Sequence, residues 1–352
     1  MKVGIMRALI CRKCGQKLSF ENSLCLSCHS ALGFHLPTRA LLPLPDTDGD
    51  GAAEIDITTP GSDVDVTWKV CANLSTARCN WLVDTSTGEE LCFSCRLTRT
   101  RPADDDVDAM VAYADAETNK RRVILELTEL GLPIDGRDKD PETGLAFDLL
   151  SSANTQVMTG HANGLVTLDL AEGDDVHREQ LRVSMSEPYR TLVGHFRHEI
   201  GHYFQMVLVG TGEHRPRFEE LFGDPDTDYQ AALDRHYNEG APENWEDDYV
   251  SSYATMHPAE DWAETFAHYL HIRDTLDTAA AFGMAPAGST LDSPLPGDVG
   301  FDQIVEWWLP LSWALNQINR SMGHQDLYPF VLPPTVLDKM RYVHQLIAPS
   351  EL

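Results

Sequence analysis

Apolar residues recur every three to four positions in five segments of the C-terminal two thirds of the chain. This spacing places them on one face of an α-helix. The predicted helices cover residues 108–130, 188–210, 257–283, 301–323 and 334–347. Three short apolar runs, broken by glycine and asparagine, predict strands at 144–150, 155–160 and 164–170. Long helices with few strands indicate an α+β fold that is mostly helical.

The N-terminal third lacks this periodicity and contains all eight cysteines. Residues 36–66 are rich in proline, glycine and aspartate, which predicts an acidic linker. A second polar stretch, residues 211–250, is rich in acids and proline. It predicts a solvated insertion, and a lid over an active site is the alternative.

The first cysteine group consists of two Cys-x2-Cys pairs, Cys11 with Cys14 and Cys25 with Cys28. Each pair lets two thiolates reach one ion, and two pairs complete a tetrahedral zinc site. Gly15 follows the first pair and suits the turn that such a pair needs. This spacing predicts a structural zinc ribbon over residues 1–35.

The second group, Cys71, Cys79, Cys92 and Cys95, contains one Cys-x2-Cys pair and is less specific. Its four thiols still complete a second structural zinc site, in a module over residues 67–102. A disulfide framework is the alternative, but the start of the sequence lacks the pattern of an export signal. Modules this small bury too little apolar surface to fold alone, so we expect zinc to stabilise them.

The chain has 352 residues and a formal net charge of −28. A surface this acidic opposes phosphate binding, so we expect no nucleic-acid partner. No apolar run reaches the roughly 18–20 residues that span a bilayer, so we expect no membrane association. A cytoplasmic location is therefore expected. The first 40 residues are basic, which leaves a nucleic-acid-linked regulator as a minor alternative.

The helix predicted at 188–210 contains an H-E-x-x-H motif. His198 and His202 lie one turn apart on one face, so both imidazoles can bind one zinc ion. Glu199 can address a water molecule at that ion. The motif is short enough to arise by chance, so a third ligand is needed to support it.

Two known arrangements supply a third ligand. A metzincin would place glycine and histidine three and six residues after His202, where this chain has Gln205 and Leu208. A gluzincin takes a glutamate from a later helix, and Glu260 and Glu264 lie one turn apart in such a helix. We assign Glu260 as the zinc ligand and Glu264 as the acceptor that fixes the tautomer of a ligating histidine. The reverse assignment remains open.

The segment 252–269, SYATMHPAEDWAETFAHY, is similar to the catalytic segment of anthrax lethal factor type gluzincins and of Pro-Pro endopeptidases. In those proteins a tyrosine lies seven residues before the ligand glutamate, and another glutamate lies four residues after that ligand. Tyr253, Glu260 and Glu264 match this spacing. Nearly the whole chain resembles a bacterial family of zinc-binding metallopeptidases that joins an N-terminal zinc ribbon to a gluzincin domain. The motifs that carry this wider resemblance are CNWLV, LCFSCRLTRT, GLAFDLL, HEIGHYFQ and EDWAETFAHYLH.

The resemblance implies a gluzincin-like domain over residues 103–352. It implies that Tyr253 donates a hydrogen bond to the oxyanion of the tetrahedral intermediate. It also implies that the strand predicted at 164–170 is a sheet edge that pairs with an extended substrate; a strand buried against the helices is the alternative. Glu199 would act as the general base that takes a proton from water and delivers it to the leaving nitrogen.

The sequence therefore predicts a cytoplasmic zinc peptidase with one catalytic and two structural zinc ions. A peptide or protein is the expected substrate, and the zinc-ribbon region is a candidate site for a protein partner. The main alternative is a scaffold protein that binds zinc without turnover. The presence of Glu199 and Tyr253 favours the enzyme, because a scaffold needs neither residue.

Overall fold

Short strand pairs build the N-terminal third of the protein, and long helices build the remainder. The computed structural model describes residues 8–45, 54–58, 65–153, 156–174, 179, 191–291 and 295–348. The strands are β1 (Leu9–Ile10), β2 (Lys17–Leu18), β3 (Leu32–His35), β4 (Ala40–Pro43), β5 (Glu54–Thr58), β6 (Asp65–Val70), β7 (Leu82–Asp84), β8 (Thr98–Thr100), β9 (Ala146–Leu150), β10 (Gly160–Ala162) and β11 (Leu165–Asp169). The helices are α1 (Leu74–Ala77), α2 (Phe93–Arg96), α3 (Val107–Glu129), α4 (Leu192–Phe204), α5 (Arg215–Phe222), α6 (Tyr229–Glu239), α7 (Pro258–Ala281), α8 (Gly297–Ser321) and α9 (Pro334–Ile347).

The two cysteine groups share one hydrophobic core. Phe34 of β3 packs its ring 4.8 Å from Phe20 and 5.4 Å from Trp81, centroid to centroid. The Phe34 N–H donates to the Asn80 carbonyl oxygen at 2.7 Å, next to Cys79 of the second group. The first group therefore packs directly on the second.

The linker predicted at 36–66 is wrong for Ala40–Pro43 and Glu54–Thr58, which form strands β4 and β5. β4 pairs with β3, and β5 pairs with β6. Leu42 and Ile57 are buried together against Leu82. These apolar side chains pack together within a segment that is rich in proline and aspartate. Residues 46–53 and 59–64 of the predicted linker lie outside the described residues.

The sheet of the C-terminal region has the strand order β10-β11-β9-β8. β8, β9 and β11 are parallel, and β10 is antiparallel to β11. Asn163 and Gly164 join β10 to β11 with φ angles of +48° and +80°. These are the left-handed conformations that a two-residue hairpin requires, and Asn-Gly is the preferred sequence for it.

The position of this hairpin shows that the predicted edge strand is wrong. The strand predicted at 164–170 forms β11, which lies between β9 and β10. The edge strand on this side is instead β10, Gly160–Ala162, which overlaps the strand predicted at 155–160 only at Gly160. Any chain that extends this side of the sheet would pair with β10.

Helices α4 and α7 pack closely against each other. Their contact is at Gly201, where an added Cβ would lie 3.0 Å from the Ala263 Cα atom. The Trp262 indole N–H donates to the Gly201 carbonyl oxygen at 2.8 Å. α4 continues through one π-helical turn, Gln205–Val209, and ends at Gly210 as predicted. The part of the chain that the structure describes contains no helix long and apolar enough to cross a membrane.

A buried ion pair attaches α9 to α7. Lys339 Nζ lies 2.6 Å from Asp261 Oδ2, and the side chains are 4% and 2% exposed. Lys339→Met is expected to destabilise the protein by about 3–5 kcal/mol, because it leaves the Asp261 carboxylate buried without its partner. Urea unfolding followed by circular dichroism measures this change.

The double variant Lys339→Met/Asp261→Asn is the control. It removes both charges, so we expect it to recover most of the lost stability. A single variant as stable as the wild type would show that the pair does not hold α9 on α7.

Candidate metal centres and active site

Helices α4 and α7 bring three potential metal ligands together. One donor atom each from His198, His202 and Glu260 lies within 4.8 Å of the other two. His198 Nε2 is 2.9 Å from Glu260 Oε2, and His202 Nε2 is 3.4 Å from Glu260 Oε1. Two imidazole nitrogens and one carboxylate are a donor set that suits zinc.

Glu264 lies on the other side of the His198 ring. Its Oε1 is 2.7 Å from His198 Nδ1, and its Oε2 accepts a hydrogen bond from Ser251 Oγ at 2.6 Å. Burial opposes the charge of Glu264, but the hydrogen bond from His198 outweighs it and lowers the pKa of Glu264 to about 2. The ionised carboxylate accepts the Nδ1–H of His198 and leaves Nε2 facing Glu260.

The structure therefore distinguishes the two candidate glutamates by position. Glu260 faces the Nε2 atoms of both histidines, whereas Glu264 faces only the Nδ1 atom of His198. Ser251, which the sequence does not predict as a site residue, donates to Glu264 and also accepts the N–H of Ala254 at 3.1 Å. No local spacing identified Ser251, because its role depends on a turn that packs against α7.

Glu199 lies beside these ligands with 8% of its surface exposed. Its Oε2 atom is buried without a hydrogen-bond partner among the residues that the structure describes. Burial raises the pKa of Glu199 above its usual range. A buried carboxylate oxygen without a partner is costly, so this atom fits a site that receives water or another polar group.

Tyr253 lies beside His198, with the ring centroids 6.0 Å apart. It begins a single 3-10 turn, Tyr253–Thr255, just before α7. Burial raises the pKa of Tyr253 above its usual range, so the phenol remains protonated and can donate a hydrogen bond.

The segment 211–250 is not simply a solvated insertion. It contains α5 and α6, and it forms one wall of a cleft of about 500 Å³ beside the ligands. Tyr229, the first residue of α6, donates from its hydroxyl group to Glu260 Oε1 at 3.0 Å. Tyr229 is not predicted from the sequence, because no motif spacing relates it to the potential ligands. Residues that line the cleft include His161, Asn163, His202, Gln205, Met206, Val209, Arg215, Asp226, Tyr229 and Glu260.

The edge strand β10 reaches the same cleft. The imidazole of His161 stacks on that of His202, with centroids 6.0 Å apart and planes inclined by 16°. His161 Nε2 accepts the N–H of Gly164 at 2.9 Å, so the hairpin turn fixes the ring. The sheet edge and the ligands are thus adjacent.

Both cysteine groups also converge. The structure brings Cys11, Cys14, Cys25 and Cys28 together in one cluster and Cys71, Cys79, Cys92 and Cys95 in another. The Sγ atoms are 3.7 Å apart in the pair Cys11–Cys28 and 3.6 Å apart in the pair Cys79–Cys92. Four thiolates at about 2.3 Å from one zinc ion would be about 3.8 Å apart, so these distances fit zinc and exclude disulfide bonds.

Comparison with known proteins agrees with this combination of sites. Residues 109–346 match the model of a family described as "putative zinc-binding metallo-peptidase". The chain belongs to this family. Residues 8–106 match a zinc-ribbon domain, which spans both cysteine clusters of this family member.

Similar proteins occur in mycobacteria. The chain is 60% identical over 343 residues to proteins of Mycobacterium bovis and Mycobacterium tuberculosis, which are described only as uncharacterized. The alignment covers 97% of this chain and 95% of each relative. No solved structure matches the chain.

Proposed function

We propose that this metallopeptidase family member is an active gluzincin-type zinc peptidase. The observation that carries the proposal is the convergence of His198, His202 and Glu260 beside Glu199, whose buried Oε2 atom has no hydrogen-bond partner in the described part of the chain. In this proposal those three residues hold a catalytic zinc ion, and each cysteine cluster holds a structural one. When bound, zinc supplies a Lewis acid that polarises a carbonyl group and lowers the pKa of water.

Glu199 acts as the general base. Its burial makes the charged carboxylate costly, and this raises its affinity for a proton. It takes the proton of the attacking water and later passes it to the leaving amide nitrogen. The shielded position keeps bulk water from competing for that proton.

Glu264 and Ser251 prepare the site before the reaction. Glu264 accepts the Nδ1–H of His198, which leaves Nε2 as the nitrogen that would bind the zinc ion shared with Glu260. Ser251 fixes Glu264 and, through Ala254, the turn that bears Tyr253. One hydroxyl group thus links the orientation of a metal ligand to the position of the phenol.

The cleft between β10 and the segment 211–250 receives the substrate. β10 is an edge strand, so an extended peptide can add to it through main-chain hydrogen bonds. His161 and Asn163 line the cleft at this strand and at its turn. This arrangement favours a peptide or an unfolded protein segment as the substrate.

A peptide library derived from a proteome tests the proposal. The zinc-loaded protein is incubated with the library, and new termini are identified by mass spectrometry. We expect cleavage that stops when a chelator empties the catalytic site and returns when zinc is restored. Absence of cleavage by protein that contains about three zinc ions per chain would favour the scaffold alternative.

Tyr253→Phe is expected to slow cleavage about 10²–10³-fold, chiefly through kcat, without loss of zinc. The phenylalanine ring keeps the packing on His198 but cannot donate to the developing oxyanion. Steady-state kinetics on one cleaved peptide measures the effect. A Tyr253→Phe variant with wild-type kcat would exclude this role for the phenol.

A further inference from the structure

Tyr229 contacts the third metal ligand from the segment 211–250. Its hydroxyl group donates to Glu260 Oε1 at 3.0 Å, and Glu260 is 3% exposed. The proposed chemistry assigns no role to Tyr229, since Glu199 and Tyr253 supply the base and the oxyanion donor. The contact nevertheless reaches the carboxylate that we propose as a zinc ligand.

The two oxygens of Glu260 have different surroundings. Oε2 faces His198 Nε2 at 2.9 Å, whereas Oε1 faces both His202 Nε2 and the Tyr229 hydroxyl. A hydrogen bond to one oxygen restricts rotation of the carboxylate about its last torsion. Partners of this kind hold metal ligands in the binding orientation before the ion arrives.

A second contact holds the same part of the segment against α7. The His257 Nε2–H donates to the Thr227 carbonyl oxygen at 3.1 Å, and the Tyr229 ring lies 5.2 Å from the His257 ring. His257 is the N-cap of α7, because its Nδ1 atom accepts the N–H of Ala259 at 3.0 Å. The cleft wall is therefore attached to the first turn of the helix that bears Glu260.

We propose that Tyr229 is a positioning residue for Glu260 that couples zinc binding to the order of the cleft wall. The inference rests on the proposed function, because it requires Glu260 to bind zinc. Coupling between two equilibria is reciprocal. If Tyr229 improves zinc affinity by holding Glu260, bound zinc must in turn stabilise α6 in its place along the cleft.

The test measures zinc affinity by chelator competition on the full chain, with metal content determined at each step. We expect Tyr229→Phe to weaken zinc binding at the His198–His202–Glu260 site about 10–100-fold. Tyr237→Phe is the matched control on the same helix. Tyr237 is 66% exposed, so we expect its substitution to leave zinc affinity unchanged. A His198→Ala variant gives the release curve of the cysteine clusters alone.

Hydrogen exchange supplies the second measurement. In the wild type and in Tyr237→Phe, zinc is expected to slow amide exchange over Tyr229–Glu239. In Tyr229→Phe, at zinc concentrations that fill the site, this zinc-dependent protection is expected to be lost. Protection that persists unchanged in Tyr229→Phe would overturn the coupling.

Two further outcomes separate this inference from the proposed function. If Glu260→Gln retains full zinc affinity, Glu260 is not a ligand and the proposed metal site fails. If Glu260→Gln loses zinc but Tyr229→Phe retains it, the metal site stands and the positioning role is overturned. A Tyr229→Phe variant with altered KM and intact zinc affinity would identify Tyr229 as a substrate contact instead, which also overturns the inference.

Discussion

Glu199→Gln is expected to abolish peptide cleavage while the zinc content remains at the wild-type level. Glutamine has nearly the shape of glutamate but cannot accept a proton from water. General-base catalysis typically contributes about 10²–10⁴-fold, and Glu199 also serves as the proton donor to the leaving group, so we expect a loss at the upper end. Turnover of a cleaved peptide, measured beside metal content, gives both results.

Glu213→Gln is the matched control. Glu213 undergoes the same chemical change, but its side chain is 89% exposed outside the ligand cluster. We expect Glu213→Gln to retain wild-type kcat. Unimpaired cleavage by Glu199→Gln would rule out the mechanism, whereas loss of zinc from Glu199→Gln would assign Glu199 a structural role.

The features that the sequence predicts best are those in which chemistry and spacing are local. Two histidines separated by three residues share a helix face wherever that helix lies. A Cys-x2-Cys pair likewise defines its own turn, and Gly15 occupies the left-handed conformation expected there, with φ +77°. In the second pair of the first cluster this position is taken by His29, with φ +56°, so glycine is not essential to the turn.

The features that the sequence predicts poorly depend on distant packing. β4 and β5 form because a few apolar residues meet Leu82, which composition alone does not reveal. The resemblance implies that the strand at 164–170 is a sheet edge, and this is wrong because the Asn163-Gly164 hairpin places β10 outside β11. Tyr229 reaches Glu260 because the first residue of α6 lies beside the first turn of α7, a contact with no signature in residue spacing.

The second cysteine cluster connects the zinc-ribbon region to the sheet beside the proposed catalytic site. All four of its thiols are buried, and Cys95 lies in α2, where Arg96 and Leu97 separate it from β8. β8 pairs with β9, whose other neighbour is β11. Cys95 Sγ also lies 3.8 Å from Glu117 Oε2 of α3, and Lys120 Nζ donates to Glu117 Oε1 at 2.6 Å. The cluster therefore holds α2, β8 and α3 in one arrangement.

Cys79→Ser is expected to lose one zinc ion per chain and to unfold the zinc-ribbon region. Structural zinc contributes about 10–16 kcal/mol in small modules at neutral pH. The free energy of unfolding of a whole domain is typically only about 5–15 kcal/mol, so we expect the region to unfold when the ion is lost. Metal content and limited proteolysis over residues 8–106 measure the two effects.

Cys14→Ser distinguishes a specific role of the second cluster from a general effect of zinc loss. Cys14 is an exposed member of the first cluster, which has no strand in the sheet of the C-terminal region. We expect Cys14→Ser to lose one zinc ion. We expect β8 to stay protected from proteolysis in this variant, and peptide cleavage to stay near the wild-type rate. In Cys79→Ser, we expect β8 to lose its protection and peptide cleavage to slow, because the cluster no longer holds β8 beside β9. Equal rates of cleavage by the two variants would mean that the second cluster stabilises the ribbon without supporting the active site.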